Sequence, residues 1–360
     1  MATTPATLLP PVAVRRPIVI IGAGGIVRDA HLPAYRRAGF KVAGVYDSDL
    51  AKAKALAADF KLPVIYATLS EAVGAAPGGR PPVFDVAVPA HALPGVVSAL
   101  PSGSAVLLQK PFGEDLPAAR YLLKACQRRR LRAAVNFQLR FAPAVARARQ
   151  MIAAGVIGEL SDIEVRITTF TPWRLWKFLA AAPRVEILYH SIHYIDLIRS
   201  FAGDPRGVQA LTLPDPQSPG LASTRSAILL DYGPVLRATV TTNHSHQFGS
   251  RHQESYVKWE GDKGAIKVGL GVLLDYPHGQ PDTLEVCRLP KHGRPRWQKL
   301  PTGGNWFPDA FIGTMGGAMR LAADRPAPNL CTAADAFRTM AVVEAAYRAS
   351  ARGSTPIPSS

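Results

Sequence analysis

Cysteine is nearly absent from this 360-residue chain: Cys126, Cys287 and Cys331 stand far apart and are odd in number. That excludes a disulfide framework and a spaced thiolate zinc site, and it suits a reducing compartment. No apolar run approaches the ~18–20 residues that a membrane-spanning helix requires. The opening MATTPATLLPPVAVRR puts its arginines after its apolar residues, the reverse of a secretory leader, so a cytoplasmic location is expected. Acidic residues are scarce beside basic ones, 26 against 42, for a formal net charge of +16. The densest basic run, Arg128-Arg129-Arg130-Leu131-Arg132, has no interleaved aromatics and no nucleic-acid motif around it. It reads as the solvated end of a helix, where cations favour the dipole's negative pole. No nucleic-acid partner and no membrane contact are therefore expected.

What is present is an ordinary globular composition, 48% hydrophobic, in a chain long enough for two domains with separate cores. Residues 1–16, rich in Thr, Pro and Ala, read as a mobile arm. Over residues 17–137, short apolar runs (IVII, KVAGVYD, VFDVAVP, AVLLQ, RAAVNF) alternate with helical patterns such as DLAKAKALAADF and DLPAARYLLKACQRRR. Near-continuous apolar strands separated by helices predict a parallel sheet covered on both faces. Over residues 138–360 the texture changes. After one more helical segment, SAILLDYGPVLRATVTTNH and ESYVKWEGDKGAIKVG alternate with period two, which predicts a large, mostly antiparallel sheet. A helix over 333–351 closes the chain. The expected fold class is α/β, with an open-sheet C-terminal domain for substrate binding and assembly.

Three stretches carry chemistry. In IVIIGAGGIVRDAHLPAY (18–35) a strand runs straight into glycines and then a helical pattern. Such a turn lets backbone N–H groups approach a pyrophosphate at the positive end of a helix. Gly22 makes the tight turn and Gly24 allows the close approach, with Gly25 and Ile26 beside them. Val27 stands where the third glycine of the G-x-G-x-x-G fingerprint is usual. Asp47, closing the second strand 25 positions beyond Gly22, can accept hydrogen bonds from ribose hydroxyls and would repel a 2′-phosphate. That favours NAD over NADP. The competing reading makes Asp47 a cap for the helix over 49–60.

The second stretch is LLQKPFG (107–113), at the end of a strand. Lys110 would lie where ligands of parallel sheets bind, able to hydrogen-bond a substrate hydroxyl with its pKa lowered by burial. Pro111 behind it favours a cis bond. The third is EILYHSIHYIDLIRS (186–200). On one helix Glu186, His190 and His193 share a face, with Asp196 one turn beyond His193 and able to hold its ring. His193 as a general acid/base and a metal held by Glu186, His190 and His193 are both compatible with this spacing. No fourth ligand is identifiable, so no metal is expected.

Together these stretches resemble the Gfo/Idh/MocA oxidoreductases, the family of glucose–fructose oxidoreductase and inositol dehydrogenases. The resemblance runs from about residue 17 to 358 and includes GAGGIVRDAHLPAY, VAVPAH, QKP, VNFQLRFAP, HSIHYIDLIRSFAG and AADAFRTMAVVEAAYRAS. It implies an N-terminal Rossmann dinucleotide-binding domain, NAD(P)-dependent hydride transfer to or from a sugar, polyol or inositol-like hydroxyl, and a dimer or tetramer built on the C-terminal sheet. Lys110 matches the lysine of the family's E-K-P motif, and His193 the histidine of D-x-G-x-H. Gln109 replaces the usual glutamate. Tyr189 replaces the aspartate of D-x-G-x-H, and His190 would supply part of its lost function. Pro89, His91 and Gln109 are implied at the cofactor, and Arg140 matches an arginine after the nucleotide domain. Trp173 and Trp176, with Arg174 and Lys177, would wall a sugar pocket, where aromatics stack on sugar C–H faces; Asn243, His244 and His246 would face it. Two further functions occur on this scaffold: a non-catalytic dinucleotide or sugar sensor, and NAD-dependent glycoside cleavage.

Overall fold

The computed structural model describes residues 9–276 and 278–358. The chain forms two compact units, one of Met1–Ala146 with Gly303–Met340, the other of Arg147–Thr302 with Ala341–Ser360.

In the first unit five parallel strands, β1 (Ile18–Ile21), β2 (Val42–Tyr46), β3 (Val83–Val86), β4 (Ala105–Leu108) and β5 (Arg132–Val135), lie in the order β2-β1-β3-β4-β5. Helices α1 (Leu32–Ala38), α2 (Leu50–Phe60), α3 (Leu69–Gly74), α4 (Leu93–Ala99) and α5 (Leu116–Arg128) connect them. Every residue of β1, β3 and β4 is buried, as the apolar runs require of strands covered on both faces. Asp49, Thr68 and Asp115 accept backbone N–H bonds at the starts of α2, α3 and α5, satisfying donors that a helix leaves unpaired. The basic run closes α5 as expected. Arg129 Nε then donates to the Leu100 carbonyl, and Arg132 grips both Asp324 oxygens at 3.0 and 2.9 Å.

In the second unit α6 (Pro143–Ala153) leads to β6 (Leu160–Thr168), and α7 (Ile192–Ala202) follows a long connection. Seven further strands are β7 (Gly207–Leu213), β8 (Arg225–Asp231), β9 (Arg237–Asn243), β10 (Glu254–Gly261), β11 (Gly264–Gly269), β12 (Thr283–Arg288) and β13 (Arg296–Leu300). The eight-stranded sheet runs β13-β12-β11-β10-β6-β9-β8-β7, antiparallel except at β6–β9. Alternation sorts its faces. Ile163, Val165, Val240, Val257, Trp259, Val268 and Val286 are buried on one. The other carries charge: Lys258 Nζ lies 3.2 Å from Glu164 and 2.8 Å from Glu260, and Arg166 pairs with Glu254.

Two expectations about organisation are corrected. The sequence reading assigned residues 138–360 to one domain, but α8 (Ala310–Ala322) belongs to the first unit, and the chain passes between units within α6 and α9 (Ala333–Arg352). The cause is α8's apolar length: Phe311, Ile312, Met315 and Met319 are buried, and α8 packs against β3, β4 and β5. The N-terminal arm is the other. Residues 1–8 lie outside the described residues, but 9–16 are held: Pro10 is buried, Arg320 donates to the Leu9 carbonyl (2.8 Å), and Arg15 bonds the Pro10 and Ala38 carbonyls. No described helix is long and apolar enough to cross a membrane.

Candidate functional site

The residues singled out in the first unit all leave the carboxyl ends of its strands. Gly22 follows β1, Asp47 follows β2, Pro89 and His91 follow β3, and Gln109 and Lys110 follow β4. The order of strands reverses between β1 and β3, and open parallel sheets bind ligands at such a switch point.

Gly22 has φ +109°, and a Cβ there would stand 2.4 Å from the Ala87 carbonyl oxygen, so only glycine makes this turn. Around Gly24, by contrast, no atom lies within 4 Å of where a Cβ would be, leaving its exposed backbone open to a ligand. Ile26 is half-buried. A π-helical turn, Val27–His31, then enters α1. Asp47 is not the cap of α2; Asp49 is. Asp47 instead accepts the Ala23 N–H at 2.7 Å through Oδ2 and the Asp49 N–H at 2.8 Å through Oδ1. The carboxylate thus latches the glycine turn to the end of β2. These features fit an NAD dinucleotide: an open glycine backbone for the pyrophosphate and a carboxylate for the adenosine ribose.

Lys110 is partly buried, and burial lowers its pKa to about 8. Its bond to Pro111 is cis, as the sequence favoured. Gln109 Oε1 accepts the Lys110 N–H at 2.9 Å, while its amide nitrogen lies 3.4 Å from Nε2 of His31. His31 is fully buried, with Nδ1 2.7 Å from Asp85 Oδ2; Tyr35 donates to the same oxygen at 2.8 Å, and Asn136 Nδ2 stands 3.3 Å from Nε2. The sequence reading passed over His31 and Asp85. The available signal was a histidine four residues before Tyr35, one helical turn away, followed by the apolar Leu32-Pro33-Ala34. Arg140, expected on substrate, is buried and ion-paired with Asp335 at 2.8 Å, so its charge is committed within the fold.

In the second unit the helical register differs from expectation. Ile187–Ser191 forms a π-helical turn before α7, and its wider winding changes which residue stacks over Glu186. Ser191 reaches it, donating to Oε1 at 2.8 Å. Glu186 is fully buried, with His244 Nε2 3.5 Å from the same oxygen. Burial pushes its carboxyl up, but His244 and hydrogen bonds from Ser226 and Ser191 outweigh this and hold the pKa below the usual range. Glu186 therefore anchors the interior, and both it and His190 lie against His244.

His190 turns to aromatic company: its ring lies 4.4 Å from His244 and 4.8 Å from Trp173, edge-on. Thr171 Oγ1 holds Nδ1 of His244 at 2.9 Å. The two tryptophans divide, Trp173 buried and Trp176 exposed. Tyr189 packs with Leu179, Val185 and Trp173, edge-on to Phe178 at 5.6 Å. His193 and Asp196 are both buried on α7. The side chains of Arg174 and Lys177 lie outside the described residues. Among the described residues no three His, Cys, Asp or Glu side chains assemble as metal ligands.

Comparison with known proteins agrees with this architecture. The family profile described as an oxidoreductase family with an NAD-binding Rossmann fold matches residues 16–137, and that of the GFO/IDH/MocA C-terminal domain matches residues 145–267. A D-apiose dehydrogenase of Rhizobium rhizogenes is 23% identical over 270 residues, 69% of this chain and 71% of that protein. An oxidoreductase from Agrobacterium radiobacter, solved with NAD+, L-tartaric acid and magnesium, has TM-score 0.77 at 21% identity, covering 94% of this chain and 97% of its own. Levoglucosan dehydrogenase, solved with NADH and levoglucosan, has TM-score 0.77 at 18% identity over 94% and 97%. With both of its halves matched to one family, the chain belongs to the GFO/IDH/MocA oxidoreductases, its first part being their NAD-binding Rossmann domain.

Proposed function

We propose that the protein oxidises a sugar, polyol or inositol-like CH–OH with NAD, or runs the reverse reduction. The observation that carries this reading is the gathering of the Gly22 turn, Asp47 and Lys110 at the carboxyl edge of one parallel sheet. The sugar class is supported by the names of similar proteins, D-apiose dehydrogenase and levoglucosan dehydrogenase. NAD is favoured over NADP because Asp47 would repel a 2′-phosphate and the next residue is Ser48, not arginine.

When bound, the nicotinamide supplies the hydride acceptor or donor. The chain's own residues do the rest. Gly22, Gly24, Gly25 and Ile26 bind the pyrophosphate, and Asp47 takes the ribose hydroxyls. Pro89, His91 and Gln109 flank the nicotinamide end. Lys110 donates a hydrogen bond to the substrate oxygen and His193 takes its hydroxyl proton, with Asp196 orienting the imidazole. His190, Trp173 and Trp176 contact substrate. Tyr189, its ring packed in an apolar cluster, offers its hydroxyl as a hydrogen-bonding group to the substrate rather than as the base. Assembly as a dimer or tetramer through the open sheet and a cytoplasmic setting complete the reading; three buried cysteines, none in a disulfide, suit the latter.

The test is NADH formation by the purified chain across sugars, inositols and sugar acids. The reading expects turnover with at least one, reduced about 10²–10⁴-fold in Lys110→Ala and in His193→Ala. Unchanged turnover in both variants would overturn the assignment. NAD binding with no reduction of any compound would mark a sensor instead.

A further inference from the structure

The hairpin of β12 and β13, at the edge of the large sheet, is built against its own electrostatics. Its register sets Arg288 directly opposite Arg296. Like charges in that relation repel and destabilise a ladder. From 288 to 299 the chain holds Arg288, Lys291, Arg294, Arg296 and Lys299 and no acidic residue. No ion pair or side-chain hydrogen bond with a described residue neutralises Arg288, Arg294 or Arg296. These three, with Pro290 and Gln298, all solvent-exposed, line an open surface hollow of ≈200 Å³. Blunting an edge strand against unwanted pairing needs only an outward-pointing charge or two. It does not account for three guanidinium groups gathered around one hollow.

We propose that this hollow is a binding site for a doubly charged oxyanion, either inorganic phosphate or the phosphate monoester of a small metabolite. Guanidinium forks match phosphate oxygens two at a time, and the Gln298 amide adds a neutral donor. A carboxylate carries one charge and would leave most of the positive field uncompensated. Occupancy by a dianion turns the Arg288–Arg296 opposition into a clamp.

The experiment uses the full chain saturated with NAD, so that the dinucleotide site is taken, in phosphate-free buffer of low ionic strength. Inorganic phosphate and glycerol phosphate are titrated separately by calorimetry into the wild type, an Arg288→Gln/Arg296→Gln variant and an Arg294→Gln variant. Saturable one-to-one binding is expected, weakened at least about tenfold in the double variant and less in the single one. Tighter binding of glycerol phosphate than of phosphate identifies a monoester as the ligand, and equal binding identifies the free ion. Without anion, the double variant should melt at the wild-type temperature or above it, since a repulsion has been removed. Added phosphate should raise the melting temperature of the wild type more than that of the double variant, with the single variant between them. If the double variant does not fold, Arg294→Gln decides. Absence of saturable binding, or equal binding by wild type and variants, would overturn the proposal. So would arginine-dependent binding of a DNA duplex with neither small anion bound.

Discussion

Nδ1 of His31 lies 2.7 Å from Oδ2 of Asp85, with both side chains sealed from water. The amide nitrogens of Gln109 and Asn136 both approach Nε2, which makes that atom the acceptor and puts the proton on Nδ1, facing the carboxylate. Since Gln109 also accepts the Lys110 N–H, one line of hydrogen bonds runs from the buried Asp85 to the backbone of the residue assigned to substrate. Asp85→Ala leaves a buried imidazole without its acceptor. A loss of about 1–3 kcal/mol in unfolding free energy is expected in urea titrations, the cost of a buried donor left unsatisfied. A loss below about 1 kcal/mol would show that the pair is not holding the domain together.

Asp47 serves two partners, the glycine turn and the expected ribose. Asp47→Ala should weaken NAD binding about 10–100-fold, the worth of one or two hydrogen bonds to a charged group. NADP binding should suffer less, because the repulsion of its 2′-phosphate is gone. Fluorescence titration with both dinucleotides reads the ratio; an unchanged NAD-to-NADP preference counts against this role.

Lys110, with a pKa of about 8, should impose a limb on turnover. If its ammonium donates to the substrate oxygen, kcat/KM falls as pH rises through about 8. Lys110→Arg keeps its charge across that range, so the limb should vanish even where the rate is reduced. The same depressed pKa means that the unfolded chain holds more protons than the folded one above pH 8. This residue's contribution to stability therefore rises with pH from about 8 toward the ordinary lysine range, and Lys110→Met should remove that slope from denaturation measured across it.

Glu186 carries a lowered pKa in the interior of the second unit. Its contribution to stability is full above the ordinary carboxylate range and is lost as pH falls through the lower folded value. Glu186→Gln should flatten the acid limb of a stability profile. Glu186→Ala should cost about 1–3 kcal/mol, leaving the buried Ser191 hydroxyl without its acceptor. An acid limb identical to that of the wild type would exclude Glu186 as its source.

Much of the first unit was legible in the chain. IVII, VFDV and AVLL are strands because residues apolar at every position must be covered on both faces. The meeting of the Gly22 turn and Asp47 was signalled by spacing alone, since a strand, a tight turn and a second strand fix where their ends meet. Even the cis bond at Lys110–Pro111 was signalled by proline. The register of 186–193 was not, because a π-helical turn differs from an α-helical one by one residue per bond, and side-chain pattern does not record which was used.

The order of residues determined the alternation of strands and helices, the glycine turn, the carboxylate after β2 and the lysine after β4, all of them local consequences of periodicity and backbone sterics. Only the tertiary structure decided that α8 returns to the first unit, that Arg140 spends its charge on Asp335, that Glu186 faces Ser191 and His244, and that His31 finds Asp85 fifty-four residues away. All of those pairings but Glu186–Ser191 join distant segments. A buried charge or an apolar helix face states that it needs a partner, and the packing of the whole domain chooses which one.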